Sequence, residues 1–236
     1  MRRTRLKVEC KVLELQSLVI FGPLAALCRV TLNVFTHLQD YTLINSAIEN
    51  IPEDIKIRIW VRDNFDKTKL RRPCEVFFVP AINLSWIQKM RMCARLAREA
   101  QEAWFGYAHD DATISREDFN SMLEARKTAG DNIYWIVTNN PKHPEINADI
   151  YALINTKNYW AIGGHDEGFH IYYADIDFHI RQAHNGKSQL GVCTPSTTHV
   201  GSAVLKRLEG LEAELYKLQL QKDKAYFKLK HPSFDV

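Results

Sequence analysis

Hydrophobic and polar positions repeat along this chain with two different periods, and each period predicts a different kind of element. Residues 55–61 have isoleucine or valine at every second position, the pattern of a strand with one buried face. Residues 41–51 instead place apolar side chains three and four positions apart, which predicts a helix. Short apolar runs that are typical of buried strands occupy residues 28–36, 74–80, 104–109 and 132–139.

Two further helices are predicted between these strands. Residues 83–103 are rich in Ala, Leu, Met and Arg, and either Asn83 or Ser85 can cap the helix they form. Ser115 begins another helix, for which Gly130 is a plausible C-terminal stop. Strand and helix thus alternate at least three times in the first part of the chain. This alternation predicts an α/β fold with a mostly parallel central sheet covered on both faces.

Polar side chains follow three of the predicted strands at the point where each strand ends. Thr36 follows the first strand, Asp63 the second, and the pair Asp110 and Asp111 the strand at 104–109. An isolated Asp-Asp pair is most often a solvated strand end that precedes a helix. In a parallel sheet, however, ligands bind at the carboxyl ends of the strands. We therefore expect these residues to share one edge and to form part of a binding site.

Composition narrows the class of protein but does not identify it. The chain has 236 residues, of which 46% are hydrophobic, enough for one large domain or two small ones. Its 31 basic and 28 acidic residues give a net charge of +3, too small to indicate a nucleic-acid partner. The five cysteines are odd in number and lack CxxC spacing, which favours reduced thiols over disulfides or a cysteine zinc site.

Three segments are expected. Residues 1–27 form an N-terminal extension, 28–202 the main domain, and 203–236 an amphipathic helix and tail. The apolar stretch at 18–28 is too short to span a bilayer, and we favour a packed strand or helix over a signal-peptide core. A cytoplasmic protein is expected, with a secreted or membrane-associated one as the alternative.

The C-terminal segment has a short heptad pattern. Its apolar positions are Val204, Leu208, Leu211, Leu215 and Leu218. We expect this seam to pack back onto the domain, with a dimer interface as the alternative, so that the protein is a monomer or weak homodimer. Basic residues crowd both ends of the chain. They predict a solvated surface, with peripheral contact to an anionic membrane or a phosphate-rich partner as the alternative.

The second half of the chain supplies a second group of candidate residues. Gly163 and Gly164 predict a sharp bend, and Asp166 and Glu167 follow it. A short helix is predicted to start at Asp175-Ile176-Asp177 and to end at Asn185-Gly186, so that its two acids cap it or lie in its first turn.

These blocks resemble an inverting glycosyltransferase of the GT-A fold, close to glycosyltransferase family 2. The blocks are "VRDN", "HDD", "GGHDEGF" and "YYADIDFHIRQAHNG", in this order, and the resemblance covers roughly residues 28–203. It implies a three-layer, Rossmann-like fold of the nucleotide-diphospho-sugar transferase type. It also implies metal-dependent transfer of a hexosyl or pentosyl group from a nucleotide-diphosphate donor to a carbohydrate or other hydroxyl acceptor.

The resemblance also implies a metal site. A divalent cation held by carboxylate oxygen neutralises the diphosphate leaving group of such donors. Asp111, the last acid of the strand-end motif, corresponds to the metal ligand, and His199 lies where a further ligand falls. The ion would be Mn²⁺ or Mg²⁺. His109 stands where the family usually has an aspartate, although imidazole is compatible with manganese.

Other residues correspond to the donor site of the family. Asp110 would lie near the ribose and the metal, Asp63 would bind the base or ribose, and Thr36 would contact the nucleotide. Arg91 or Arg95 would reach the base or the phosphates from the long helix, although both can equally lie on its solvated face.

The acceptor side follows from the last block. Asp175 corresponds to the catalytic base, Ala174 replaces the glutamate that usually precedes it, and Asp177 is the second candidate. Trp160 falls in the acceptor region together with the Asp166-Glu167 pair, although simple core packing is an equal interpretation of the tryptophan.

Two competing functions are considered. A nucleotidyltransferase would need a glycine- and lysine-rich signature near its first strand, and "NVFTHLQDY" contains neither residue. A catalytically inactive GT-A domain that serves as a binding or scaffold subunit is favoured only by the departures at His109 and Ala174.

Overall fold

A computed structural model describes residues 30–36, 40–62, 64–79, 85–142, 148–170, 172–200 and 209–234. The elements in chain order are β1 (Thr31–Phe35), α1 (Tyr41–Ile48), β2 (Lys56–Val61), a 3-10 turn (Lys67–Lys69), β3 (Glu75–Phe78), α2 (Trp86–Glu99), β4 (Trp104–His109), β5 (Ala112–Thr113), α3 (Arg116–Thr128), β6 (Ile133–Asn139), β7 (Ala148–Asn155), α4 (Thr156–Ala161), α5 (Ala174–His184), β8 (Ser188–Cys193), β9 (Thr198–His199) and α6 (Gly210–Lys230). The strands and helices predicted from periodicity are present, whereas β7, β8 and α4 had no clear sequence signal.

Local caps explain where the longer helices begin. Ser85 accepts a hydrogen bond from the backbone of Gln88, whose side chain accepts one from the backbone of Ser85, a reciprocal capping box. Ser115 caps α3 by accepting a hydrogen bond from the backbone of Asp118. Of the two N-caps considered for the long helix, the structure uses Ser85.

Seven strands form the central sheet in the order β3-β2-β1-β4-β7-β6-β8. All neighbours are parallel except β7, which runs antiparallel to both β4 and β6. One face packs on α1 and α3, through residues such as Ile44 and Phe119. The other face packs on α2, α4 and α5, through Met90, Tyr159 and Phe178. The predicted three-layer α/β fold with a mostly parallel sheet is confirmed.

The register of the sheet aligns the strand ends that contain candidate residues. Phe35, the last residue of β1, is paired with His109, the last residue of β4. Thr36 and Asp110 therefore leave neighbouring strands at the same edge of the sheet. Asp63, predicted for the same edge, lies outside the described residues.

The C-terminal helix packs on the domain through a different face from the one that the heptad pattern suggests. Phe227 and Asp223 are buried, whereas Leu211, Leu215 and Leu218 are exposed. For Leu211, Leu215 and Leu218 the expectation that the leucine seam covers the domain is therefore wrong, because aromatic and charged residues occupy the inner face instead. Val204 and Leu208, the other residues of the seam, lie outside the described residues. No helix among the described residues has both the length and the hydropathy needed to cross a bilayer.

Candidate active site

A cluster of one carboxylate and two imidazoles lies at the carboxyl edge of β4. Its members are His109, Asp111 and His199, and one potential ligand atom from each lies within 4.8 Å of the others. Asp111 Oδ1 is 3.0 Å from His199 Nε2 and 3.9 Å from His109 Nδ1. The two imidazole rings meet edge to face with centroids 5.2 Å apart.

A small antiparallel sheet brings the two ends of the cluster together. After β4 the chain turns through Asp110 and Asp111 and enters β5, which pairs with β9. Ala112 is directly opposite His199, and the backbone N–H of Val200 donates a 3.0 Å hydrogen bond to the carbonyl of Asp111. Because opposite residues of an antiparallel pair are about 5 Å apart, this ladder holds His199 beside the acidic turn.

The donor set of this cluster fits a divalent cation. The Nε2 atom of His199 is buried and makes no hydrogen bond among the described residues, although it is 3.0 Å from a carboxylate oxygen. A buried imidazole nitrogen without a hydrogen bond has an unmet need for a partner. A cation bound to both the imidazole of His199 and the carboxylate of Asp111 would supply this partner. A donor set of carboxylate and imidazole suits Mn²⁺.

Lys89 is a candidate residue that the sequence analysis missed. It projects from the first turns of α2, is 8% exposed, and holds its Nζ atom 5.6 Å from the ring centroid of Phe35. Burial and, to a smaller extent, the charge of Arg62 lower the pKa of Lys89 to about 8, against the opposing charge of Asp110. Lys89 is thus a buried cation within electrostatic range of the acidic turn. The sequence signal that could have identified Lys89 was its position three residues after Trp86, on the apolar face of the helix.

The remaining donor-site candidates are placed as follows. Thr36 is buried, and its hydroxyl donates a 2.9 Å hydrogen bond to the carbonyl of Trp60, which ties the end of β1 to β2. Asp110 is also buried, at 5% exposed. The guanidinium of Arg91 donates hydrogen bonds of 2.6 and 2.8 Å to the carbonyls of Gly163 and His165. Arg91 therefore fastens a loop to α2, and its contact with a nucleotide stays a prediction.

This loop contains the predicted bend. Gly163 and Gly164 both have positive φ, at 84° and 72°, which glycine adopts without strain. Asp166 forms an ion pair of 2.6 Å with Lys230 of α6, and Glu167 one of 2.9 Å with the arginine that fastens the loop. The two acids expected to recognise an acceptor thus bind the protein's own cations.

Trp160 is part of the packing between α2 and α4. Its indole N–H donates a 3.2 Å hydrogen bond to the carbonyl of Ala94, and the guanidinium of Arg98 lies 4.7 Å from its ring centroid. These contacts favour the core-packing interpretation over a sugar-stacking platform.

The two acids at the start of α5 have different environments. The helix begins at Ala174, so both acids lie in its first turn, and the N-cap Tyr173 makes no side-chain capping bond. Asp177 is fully buried and forms ion pairs of 2.7 to 2.9 Å with its positively charged neighbours, including Arg181 and Lys230. Burial raises the pKa of Asp177, but the hydrogen bonds and charges of these partners outweigh it and lower that pKa. Asp177 is therefore a structural anion, whereas Asp175 is half-exposed.

A series of side-chain contacts connects the start of α5 to the cluster of His109, Asp111 and His199. Ala174 shares a hydrophobic cluster with Ile87 and Trp86 at the start of α2. The ring of Trp86 lies 5.7 Å from that of Tyr107, which lies 5.3 Å from that of His109. The first turn of α5 and the end of β4 thus pack against the same few aromatic residues.

No family model and no curated protein sequence matches the chain. Solved structures do match it. A mannosyltransferase from Pyrobaculum calidifontis in complex with GDP-Man and Mn²⁺ has a TM-score of 0.55 at 12% identity, and the match covers 88% of this chain and 76% of that one. Glucosyl-3-phosphoglycerate synthase from Mycobacterium tuberculosis, in complex with Mn²⁺, UDP and glucosyl-3-phosphoglycerate, has a TM-score of 0.56 at 12% identity, with coverage of 92% and 88%.

A third solved structure that matches is a synthase. The 4-diphosphocytidyl-2C-methyl-D-erythritol synthase from Anaerococcus prevotii has a TM-score of 0.54 at 10% identity, with coverage of 83% of this chain and 99% of that one. Identities this low bear on the fold and not on the reaction. The chain therefore has the GT-A fold, the fold of the nucleotide-diphospho-sugar transferases.

Proposed function

We propose that this protein is a metal-dependent glycosyltransferase that moves a sugar from a nucleotide-diphosphate donor to a hydroxyl acceptor, with inversion at the anomeric carbon. The main support is the convergence of His109, Asp111 and His199 at the carboxyl edge of a GT-A sheet. We expect these three residues to hold Mn²⁺ or Mg²⁺, the ions bound in the similar glycosyltransferase structures. When bound, the ion offsets the negative charge that develops on the leaving diphosphate.

The donor would occupy the edge between β1 and β4. Asp110 is proposed to accept a hydrogen bond from a ribose hydroxyl, and Thr36 and Asp63, which follow β1 and β2 in the chain, are proposed to contact the nucleotide. We add Lys89 to this site, because a buried ammonium group near the acidic turn can donate to a phosphate oxygen.

Asp175 is proposed as the general base. It lies in the first turn of α5, where the helix dipole favours the ionised carboxylate, and it is half-exposed and thus open to an acceptor. An ionised carboxylate within hydrogen-bond reach of the acceptor hydroxyl can remove its proton as the oxygen attacks the anomeric carbon. One such displacement inverts the configuration. The buried ion pairs of Asp177 exclude it from this role.

A binding experiment tests the metal and donor sites. We expect isothermal titration calorimetry to show UDP or GDP binding that requires Mn²⁺ and disappears with EDTA. Asp111→Asn and His199→Ala should abolish the metal-dependent part, whereas Glu124→Gln, an exposed control acid on α3, should not. Nucleotide binding that is unaffected by EDTA, or by both substitutions, would show that this cluster is not a donor-site metal centre.

A second experiment separates catalysis from binding. Screening nucleotide sugars for slow hydrolysis with Mn²⁺ identifies the donor, and NMR of the first-formed transfer product gives the anomeric configuration. Asp175→Asn should retain metal-dependent nucleotide binding and lose at least a hundredfold in transfer rate. Retention of configuration would refute the single displacement. Metal-dependent binding without turnover of any donor would instead favour the inactive binding domain.

A further inference from the structure

The outer face of α6 is an exposed stripe of leucines. Leu211, Leu215, Leu218 and Leu229 are 70%, 56%, 48% and 79% exposed, and their spacing places them on one side of the helix. The opposite side of the same helix is buried against the domain through Phe227. With 21 residues, α6 is about 30 Å long, so the stripe is a straight apolar ridge on the surface.

Over the C-terminal two thirds of α6 the exposed charges beside this stripe are of one sign, whereas Glu209 and Glu214 are exposed near its first two leucines. Between residues 216 and 229 the basic side chains are Lys217, Lys222, Lys224 and Lys228, and all four are exposed or half-exposed. The only acid of this segment is Asp223, which is 1% exposed and accepts hydrogen bonds from backbone N–H groups of the domain. The outward-facing charge of this segment is therefore entirely positive.

We infer that the outer face of α6 docks onto an anionic membrane surface. A helix that presents leucines on one face and lysines beside them is the type that lies flat at the boundary of headgroups and acyl chains. Lys222 is in line with the leucines, and its four-carbon stem can extend the apolar surface while the ammonium group reaches a lipid phosphate. The lysines on the flank would contact further anionic headgroups.

The same charges disfavour a second copy of the chain as the occupant. Pairing two α6 helices through their leucines, in either orientation, would bury the ammonium group of Lys222 in the seam between the copies, because this lysine is in line with the leucines. A protein partner is disfavoured by side-chain type, because the stripe contains only leucines and one alanine, without the aromatic or arginine anchors of most protein interfaces.

Vesicle co-sedimentation of the full chain tests this inference without any nucleotide, so its outcome is independent of the proposed transferase activity. We expect binding to vesicles of phosphatidylglycerol and phosphatidylcholine in equal parts, weak binding to phosphatidylcholine alone, and weaker binding at high salt. The double variant Leu215→Gln/Leu218→Gln should lose on the order of a hundredfold in affinity. Its far-UV circular dichroism should be unchanged, because both side chains are exposed.

A charge-matched pair of variants completes the test. Replacing Lys217, Lys224 and Lys228 by Gln should weaken binding roughly a hundredfold, since each lysine near an anionic surface is worth about fivefold. Replacing Lys56, Lys67 and Lys127 by Gln removes the same number of exposed lysines elsewhere on the domain and should have little effect.

Several results would overturn the inference. One is the absence of binding to the anionic vesicles, and another is equal binding by the leucine variant. A dimer in gel filtration that the leucine variant converts to a monomer would identify a second copy as the occupant. A lower melting temperature of the leucine variant, with unchanged vesicle binding, would show that another segment of the chain covers the stripe.

Discussion

Replacing Lys89 by methionine should make the protein more stable and its donor binding weaker. Methionine keeps the length of the apolar stem beside the ring of Phe35 but removes the buried ammonium group. A residue whose removal stabilises the fold while impairing binding is retained for function and not for folding. The two opposite effects make this substitution a sharp test of the donor site.

The size of the stability gain follows from the pKa of this side chain. Burial, helped by the charge of Arg62, lowers the pKa of Lys89 from 10.5 to about 8. A tenfold change in an ionisation constant corresponds to about 1.4 kcal/mol, so the charged form of Lys89 costs the fold about 3 kcal/mol at neutral pH. For a chain of this length, the gain on removing it corresponds to roughly 6–12 °C in Tm.

The pH dependence has a definite sign. The folded protein releases the proton of Lys89 at lower pH than the unfolded chain does, so stability rises with pH between about 8 and 10.5. The cost is fully present below pH 8. The difference in Tm between the parent protein and Lys89→Met should therefore be largest near pH 7 and should narrow towards pH 10.

Thermal denaturation at several pH values in EDTA, together with calorimetry of UDP and GDP with Mn²⁺, measures both effects. Donor affinity should fall about ten- to a hundredfold, the range for one hydrogen bond to a charged group. Arg95→Met is the matched control, because Arg95 lies on the same helix with a side chain 70% exposed. The reasoning would be refuted if Lys89→Met lowered Tm, or if the difference in Tm grew with pH.

Two further substitutions test the packing around the candidate site. Lys230→Ala should cost roughly 1–3 kcal/mol in the free energy of unfolding measured by urea titration, because it removes a partner from the buried carboxylate of Asp177. The control Lys228→Ala, on the exposed side of α6, should change this free energy little. Equal effects of the two substitutions would contradict the pairing. Gly164→Ala should cost about 2–4 kcal/mol, because the new Cβ would lie 2.7 Å from a buried tyrosine ring and because alanine is strained at positive φ. Gly163→Ala, with open space around it, should cost about 1–2 kcal/mol from the backbone strain alone. Similar Tm values for the two variants would contradict the crowding at Gly164.

The alternation of residues was sufficient for most of the scaffold. Period-two alternation predicted β2, and apolar runs predicted β1, β3, β4 and β6. β1, β2, β4 and β6 are buried on one or both faces, and their side chains show it directly. The run at 74–80 was expected to form a buried strand, which is wrong: β3 is an edge strand with no buried residue, and Phe78 is 54% exposed. Ser85 and Ser115 marked two helix starts, since capping is a local interaction between residues three positions apart. The parallel edge with Thr36 and Asp110 followed from this alternation, because the carboxyl ends of parallel strands lie at the same edge of a sheet.

Other features depended on contacts that no local pattern specifies. β7 joins the sheet antiparallel between β4 and β6, and its alternation alone does not distinguish that place from a sheet edge. The same limit applies to the two acids of α5: sequence placed both in its first turn, but only the packing of α6 shows that Asp177 is buried among cations while Asp175 is half-exposed.

The sequence by itself determined the order of the strands and helices that have a clear periodicity, the acidic turn after β4 and the glycine bend, because each depends on neighbouring residues. The tertiary structure decided which distant side chains meet. His199 reaches Asp111 only through the ladder of β5 and β9, and Lys89 turns inward only because α2 packs over β1. Hydrogen bonds and burial between segments far apart in the chain are set by the packing of the whole domain, and a local pattern therefore does not reveal them.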